Sequence, residues 1–214
     1  MTGQLPQRLR TAWSEFVGPE ATAIDTAITV GLAVLGAVMA VTATRTSRRT
    51  SIGESLILRT LAFDLWGGAW VNNTKACVRW YERPDQTDAD QVPFAAMHLH
   101  PPVLAWLDRG QPRRVPAGVW AGAHHGYLMA STLAIRHTSR QRRRLGVALT
   151  AAGGFALDAM LGPSRSAPWF APSYYTKLLL GHASAALWPD NALTELPASV
   201  GPGVPEHHTS LVAT

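Results

Sequence analysis

Asp64 stands in the run LAFDLWGGAWVNNTKACVRWY, an apolar stretch where a carboxylate is out of place. Asp64, Gly68, Asn72, Lys75 and Arg79 follow at intervals of four, four, three and four residues, which sets them on one stripe of a helix. The other faces carry Leu61, Phe63, Leu65, Trp66, Trp70 and Val71. A polar stripe on such a helix turns toward protein or water, because lipid offers its groups no partner. Gly67 and Gly68 would let a second backbone come close there. Hydrogen-bonded helix packing is the plainer use of Asn72 and Asn73. An intramembrane carboxylate is costly, and its retention points to function.

The second cluster is MHLHPP at 97–102. In an unbroken helix His98 and His100 would point ~200° apart and share nothing. Pro101 and Pro102 remove two backbone donors and push the preceding residue out of the helical region. A break at this point would turn both imidazoles, and the carbonyls of Met97 and His98, toward a common cavity. The remaining candidates are spread over later apolar stretches. His124 shares a helix face with Trp120, Tyr127 and Leu128, Asp158 lies near the end of its stretch, and Lys177 and His182 occupy the last one.

Imidazole and carboxylate together suit a transition metal that activates water or oxygen. The metal reading assigns Asp64, His98, His100 and His182 as ligands and catalytic groups of a Zn or Fe site, with His124 and Asn72 as further cofactor-binding residues. A haem b held by two of the histidines in an aromatic bundle is a second reading. A small permease or solute-binding protein using the same polar cavity is a third, and a broken helix like the one at Pro101-Pro102 fits it. Carboxylate and histidine spread over several helices is similar to the ceramidase-like membrane hydrolases. The chain lacks an HxxxH pair and a seventh span, so no residue role carries over.

These residues need elements to position them, and composition says which. Only 15% of the 214 residues are charged, against roughly 25% in soluble domains. Six apolar stretches recur, at 21–43, 55–78, 93–107, 116–135, 145–161 and 168–188. The first carries a single charge, Asp25, and at 1.5 Å per residue it is long enough to cross a bilayer alone. Arginines 45, 48 and 49 follow it at once, as after a retained anchor rather than a cleaved leader. The expected fold is therefore all-α, a polytopic membrane bundle of five to six transmembrane or re-entrant helices. It spans residues 21–188, between an N-terminal segment (1–20) and a mobile C-terminal tail (189–214).

All but two of the 19 basic residues are arginines, many grouped between the apolar stretches. Such placement suits lipid headgroups and argues against a nucleic-acid partner, which calls for one basic face. With six crossings the arginines divide almost evenly between the two sides. Leaving the second or fourth stretch uncrossed concentrates them on one side, so charge bias favours five crossings. Every arrangement considered leaves the C-terminus on the side at least as rich in arginine, which reads as cytoplasmic. The expected setting is a bacterial inner membrane, with a homodimer and a small-molecule or lipid substrate as further partners. One cysteine, Cys77, excludes an intrachain disulfide and a Cys-based zinc site.

Overall fold

The computed structural model describes residues 4–45, 50–138 and 140–194. Every regular element among them is helical. The chain opens with α1 (Gln4–Val17) and α2 (Ala23–Thr42), followed by α3 (Ile52–Val71) and the short α4 (Lys75–Tyr81). α5 (Asp88–Ala96) and α6 (His100–Leu107) form one arm broken at 97–99, and α7 (Ala117–Arg136) follows. α8 (Arg142–Ala151) runs through a π-helical segment (Ala152–Leu157) into α9 (Asp158–Leu161). The last long run joins α10 (Phe170–Tyr175) to a second π-helical segment (Thr176–Ala183), before α11 (Asp190–Thr194).

Local chemistry sets the helix starts. Thr22 with Asp25 and Ser51 with Glu54 are reciprocal capping pairs, each satisfying two otherwise orphaned backbone donors, and at the start of α5 the Asp90 carboxylate accepts from both the amide and the hydroxyl of Thr87. Thr74 accepts from the Cys77 amide and starts α4 anew. The polar stripe read from sequence is therefore interrupted. Asp64 and Gly68 lie on α3 and Asn72 ends it, but Lys75 and Arg79 belong to α4. At 100–102 the prolines occupy the first turn of α6, where no backbone donor is missed.

Ion pairs and hydrogen bonds at the helix ends show how the runs alternate. At one end Arg79 meets Glu20, Arg136 joins Glu82 and Asp88, Arg142 joins Glu82, and the Trp188 indole donates to the Asn73 carbonyl. At the other, Arg109 meets Glu54, Arg113 meets Asp108, and the Arg45 amide donates to the Arg165 carbonyl. The described residues thus make six antiparallel runs: α2, α3, the α5–α6 arm, α7, α8–α9 and α10 with its π segment. These match the six apolar stretches. The third is a full-length run because α5 extends the short proline-broken piece back to Asp88.

Small residues let the runs approach. A Cβ on Gly67 would lie 2.9 Å from the Ala33 Cβ of α2, and one on Gly181 would lie 2.5 Å from the Asn72 carbonyl oxygen. The core gathers Leu58, Leu65, Leu104, Trp120, Leu128, Phe170, Tyr174, Tyr175 and Leu179. Two stretches, Ala23–Thr42 and Arg142–Leu161, are long and apolar enough to cross a membrane. α1 meets the bundle through Phe16 and Val17, which pack with Val71, Cys77 and Tyr81. Of the expected C-terminal tail, 190–194 is helical, and 195–214 lie outside the described residues.

Candidate functional site

Asp64 is held at its Oδ2 by two groups from distant parts of the chain. The Lys177 Nζ lies 2.6 Å away and the His100 Nε2 lies 3.1 Å away. Lys177 sits on the second π segment, whose widened turn carries both this side chain and His182 into the interior. The lysine fits because position 68 is glycine, since a Cβ there would meet the Lys177 Cδ at 2.5 Å. The Asn72 amide donates to the Lys177 carbonyl at 3.3 Å, and Asn73 donates to the Thr176 carbonyl at 3.0 Å. Asn72 thereby fastens α3 to the π segment beside the charge pair. Its amide serves helix packing here.

The break between α5 and α6 falls at 97–99, before the residue the proline pair was expected to displace, since His100 already opens α6; it brings His98 and His100 together all the same. Their ring centroids are 5.7 Å apart and the planes differ by 13°. The Tyr174 hydroxyl donates to the freed His98 carbonyl at 2.9 Å, whereas the Met97 carbonyl is taken by the Leu99 amide. The Nδ1 of His98 lies 2.7 Å from the Phe94 carbonyl and so carries its proton there. His100 donates from Nε2 to the carboxylate, which leaves Nδ1 as the ring's second nitrogen. That atom is buried and has no hydrogen-bond partner among the described residues.

Two expected members stand apart. His182 is fully enclosed, but the Phe94 ring stacks on it at 3.7 Å and separates it from His98. Its nitrogens have no hydrogen-bond partner among the described residues. His124 belongs to a second cluster, with its Nδ1 2.9 Å from the Tyr175 hydroxyl and its Nε2 3.7 Å from Asp158. Trp120 and Phe170 close that cluster.

The described geometry does not gather Asp64, His98, His100 and His182 into one ligand set. Among the described residues no group of three or more His, Cys, Asp or Glu is placed to hold a metal ion. The physical reason is plain. An ammonium already neutralises Asp64, and Phe94 occupies the space between His182 and His98. What the site offers instead is an ion pair with an imidazole oriented by its carboxylate. Such an arrangement binds dipolar groups and passes protons.

The site also has an opening. Asp64 keeps 39% of its side-chain surface exposed, against 3% for Lys177 and 11% for His100. α3 and the α5–α6 arm both lean on the α10 run without packing closely on each other. Phe63, Met97 and Leu99, sequence neighbours of Asp64, His98 and His100, are exposed. Lys177 was visible in the sequence only as a charge in the last apolar stretch and was not counted among the site residues. Nothing in its spacing from Asp64, 113 residues away, said that the two would meet. Tyr174 and Tyr175 carried no such signal, because buried tyrosines are common in cores. No protein-family model matches the sequence, and no curated protein or solved structure is significantly similar to it.

Proposed function

We propose that this chain is a small multi-pass protein of a bacterial inner membrane that binds a small polar solute, in exchange with protons, at Asp64, Lys177 and His100. It is read as a permease or solute-binding protein rather than as a metal enzyme. The observation that carries this is the inverted distribution of polarity. Lys177 is buried in the bundle and His100 largely enclosed, beside the partly exposed Asp64, while Val34, Val38, Leu56, Phe63, Trp106, Val119, Val147 and Phe155 face outward on five of the six runs. A soluble fold would expose the charges and bury that belt. In lipid the belt is solvated and the charges must find each other.

Such a pair suits a solute with both a cationic and an anionic group. Inserting it exchanges one internal ion pair for two equally good ones, and a proton on Asp64 releases Lys177. His100, whose Nε2–H is held by Asp64 and whose Nδ1 has no hydrogen-bond partner among the described residues, is placed to relay that proton: Nδ1 gains one as Nε2 passes its own to the carboxylate. The broken α5–α6 arm beside it is the kind of element that transport sites use. Charge groups at both ends of the runs are compatible with headgroup contact on both sides.

The test is proton movement. Vesicles holding the purified protein and a pH-sensitive dye receive a potassium gradient and valinomycin, with and without a mixture of zwitterionic amino acids. The wild-type protein should acidify or alkalinise the lumen faster than protein-free vesicles do. Asp64→Asn should abolish the difference. Rates equal to those of empty vesicles under both conditions would overturn the proposal.

A further inference from the structure

A cleft of about 250 Å³ opens at the bundle end that holds the α2–α3 connection. Three separate loops build it. Arg45 comes from the end of α2, Arg113 and Arg114 from the connection between α6 and α7, and Leu161, Ser164 and Arg165 from the turn after α9. None of the residues lining it is acidic.

Asp108, bound to several of the lining residues, is committed to the framework of the cleft. Fully buried, it accepts from the Ser164 hydroxyl at 2.9 Å, the Arg165 amide at 2.9 Å and the Ser166 amide at 2.7 Å. The Arg113 Nη2 reaches it at 2.6 Å, so one guanidinium offsets this one negative charge. Arg45, Arg114 and Arg165 remain as excess positive charge around the opening. Their backbones are pinned. The Arg45 amide donates to the Arg165 carbonyl at 2.7 Å, and the Arg114 guanidinium is steadied by the Ala159 carbonyl at 2.6 Å.

Three guanidiniums from three segments, one of them on the loop that a buried aspartate organises, match the oxygens of a phosphate. Arginine forks bind such oxygens two at a time, with bonds stronger than those between neutral groups. The apolar edge at Leu161 adds room for the glyceryl end of a lipid headgroup. We propose that this cleft binds a phosphate group, carried either by an anionic phospholipid or by free phosphate. The site is separate from the Asp64 cluster, and its binding to free phosphate does not depend on the transport reading.

The experiment uses the purified full chain in a neutral detergent. Inorganic phosphate is titrated and followed by phosphorus NMR line broadening, and phosphatidylglycerol is titrated in mixed micelles and followed by native mass spectrometry. At least one probe should bind saturably. Arg45→Gln combined with Arg165→Gln should weaken it tenfold or more, while Arg143→Gln at the opposite end should leave it unchanged. Saturation by phosphatidylglycerol alone identifies the lipid headgroup as the source, and saturation by inorganic phosphate identifies the free anion. Both results support the site. No saturable binding of either probe to the wild type, or equal affinity in wild type and double variant, overturns it. Should the double variant elute as an aggregate, the single variant Arg45→Gln is measured instead. A loss of severalfold supports the site, and an unchanged affinity counts against it.

Discussion

Asp64 gives one oxygen to an ammonium and an imidazole at once, and its two partners differ in how much they depend on it. Lys177 is almost fully enclosed, so removing its counter-charge leaves a buried cation with no exit. Asp64 without Lys177 still has His100 and an open edge. Asp64→Asn should therefore cost about 3 kcal/mol of stability in detergent unfolding, and Lys177→Met distinctly less. The double variant should recover about 1–2 kcal/mol relative to the sum of the two single changes. Strict additivity would mean that the two side chains do not interact. Asp108 is the second residue on which much rests, since it organises four donors from two loops. Asp108→Ala should cost about 3 kcal/mol or more, because buried donors lose their acceptor while Arg113 loses its counter-charge. Retention of the wild-type midpoint would contradict that account. Asp64 was legible in the sequence because a charge among leucines and tryptophans has few explanations. Asp108 was not, because an acidic residue beside Arg109 and Gly110 reads as an ordinary turn.

At the scale of elements, capping and close approach set what the sequence made predictable. Ser51 and Glu54 satisfy each other's neighbouring amides at the start of α3, and Arg109 adds a contact to Glu54. Ser51→Ala should lower stability by about 1 kcal/mol, read as a shift in the unfolding midpoint with no change in helix content. Gly68 tests the join between α3 and the π segment. Gly68→Ala should displace the Lys177 stem and weaken the ion pair, so its cost should shrink in a Lys177→Met background. An equal cost in both backgrounds would show that the glycine serves backbone packing alone. The break in the α5–α6 arm was readable from Pro101-Pro102, since proline in a first turn is tolerated and in an interior turn is not. The restart at Lys75 was missed, because Thr74 as a cap outweighs the continuous four-residue spacing that carried the stripe from Asn72 to Arg79. π-helical segments leave no periodic trace, so the one bearing Lys177 and His182 was visible only after folding.

For the whole molecule, the same belt of outward apolar residues yields two measurements. The protein should stay in the membrane pellet after carbonate treatment, because the α2 stretch alone meets the length and hydropathy of an anchor. Its appearance as folded monomer in a detergent-free supernatant would refute a membrane setting. A fluorescent protein fused to the C-terminus should glow, and a phosphatase that needs the periplasm should stay inactive there, because the last run returns to the end where Arg136, Arg140, Arg142, Arg143 and Arg144 lie. The opposite pattern would reverse the orientation. Six apolar stretches and an all-helical chain followed from the sequence alone, since helix period, length and low charge are local properties that each segment carries with it. Even the short third stretch needed only the Thr87–Asp90 contact at the start of α5 to become a full run. Which polar groups meet was decided by the tertiary structure. Asp64 chose Lys177 and His100, while Phe94 kept His182 away and Tyr175 drew His124 into another cluster. Pairing across more than a hundred residues depends on how six runs are rotated against one another. Small residues such as Gly67, Gly68 and Gly181 set those rotations through contacts that no single segment contains.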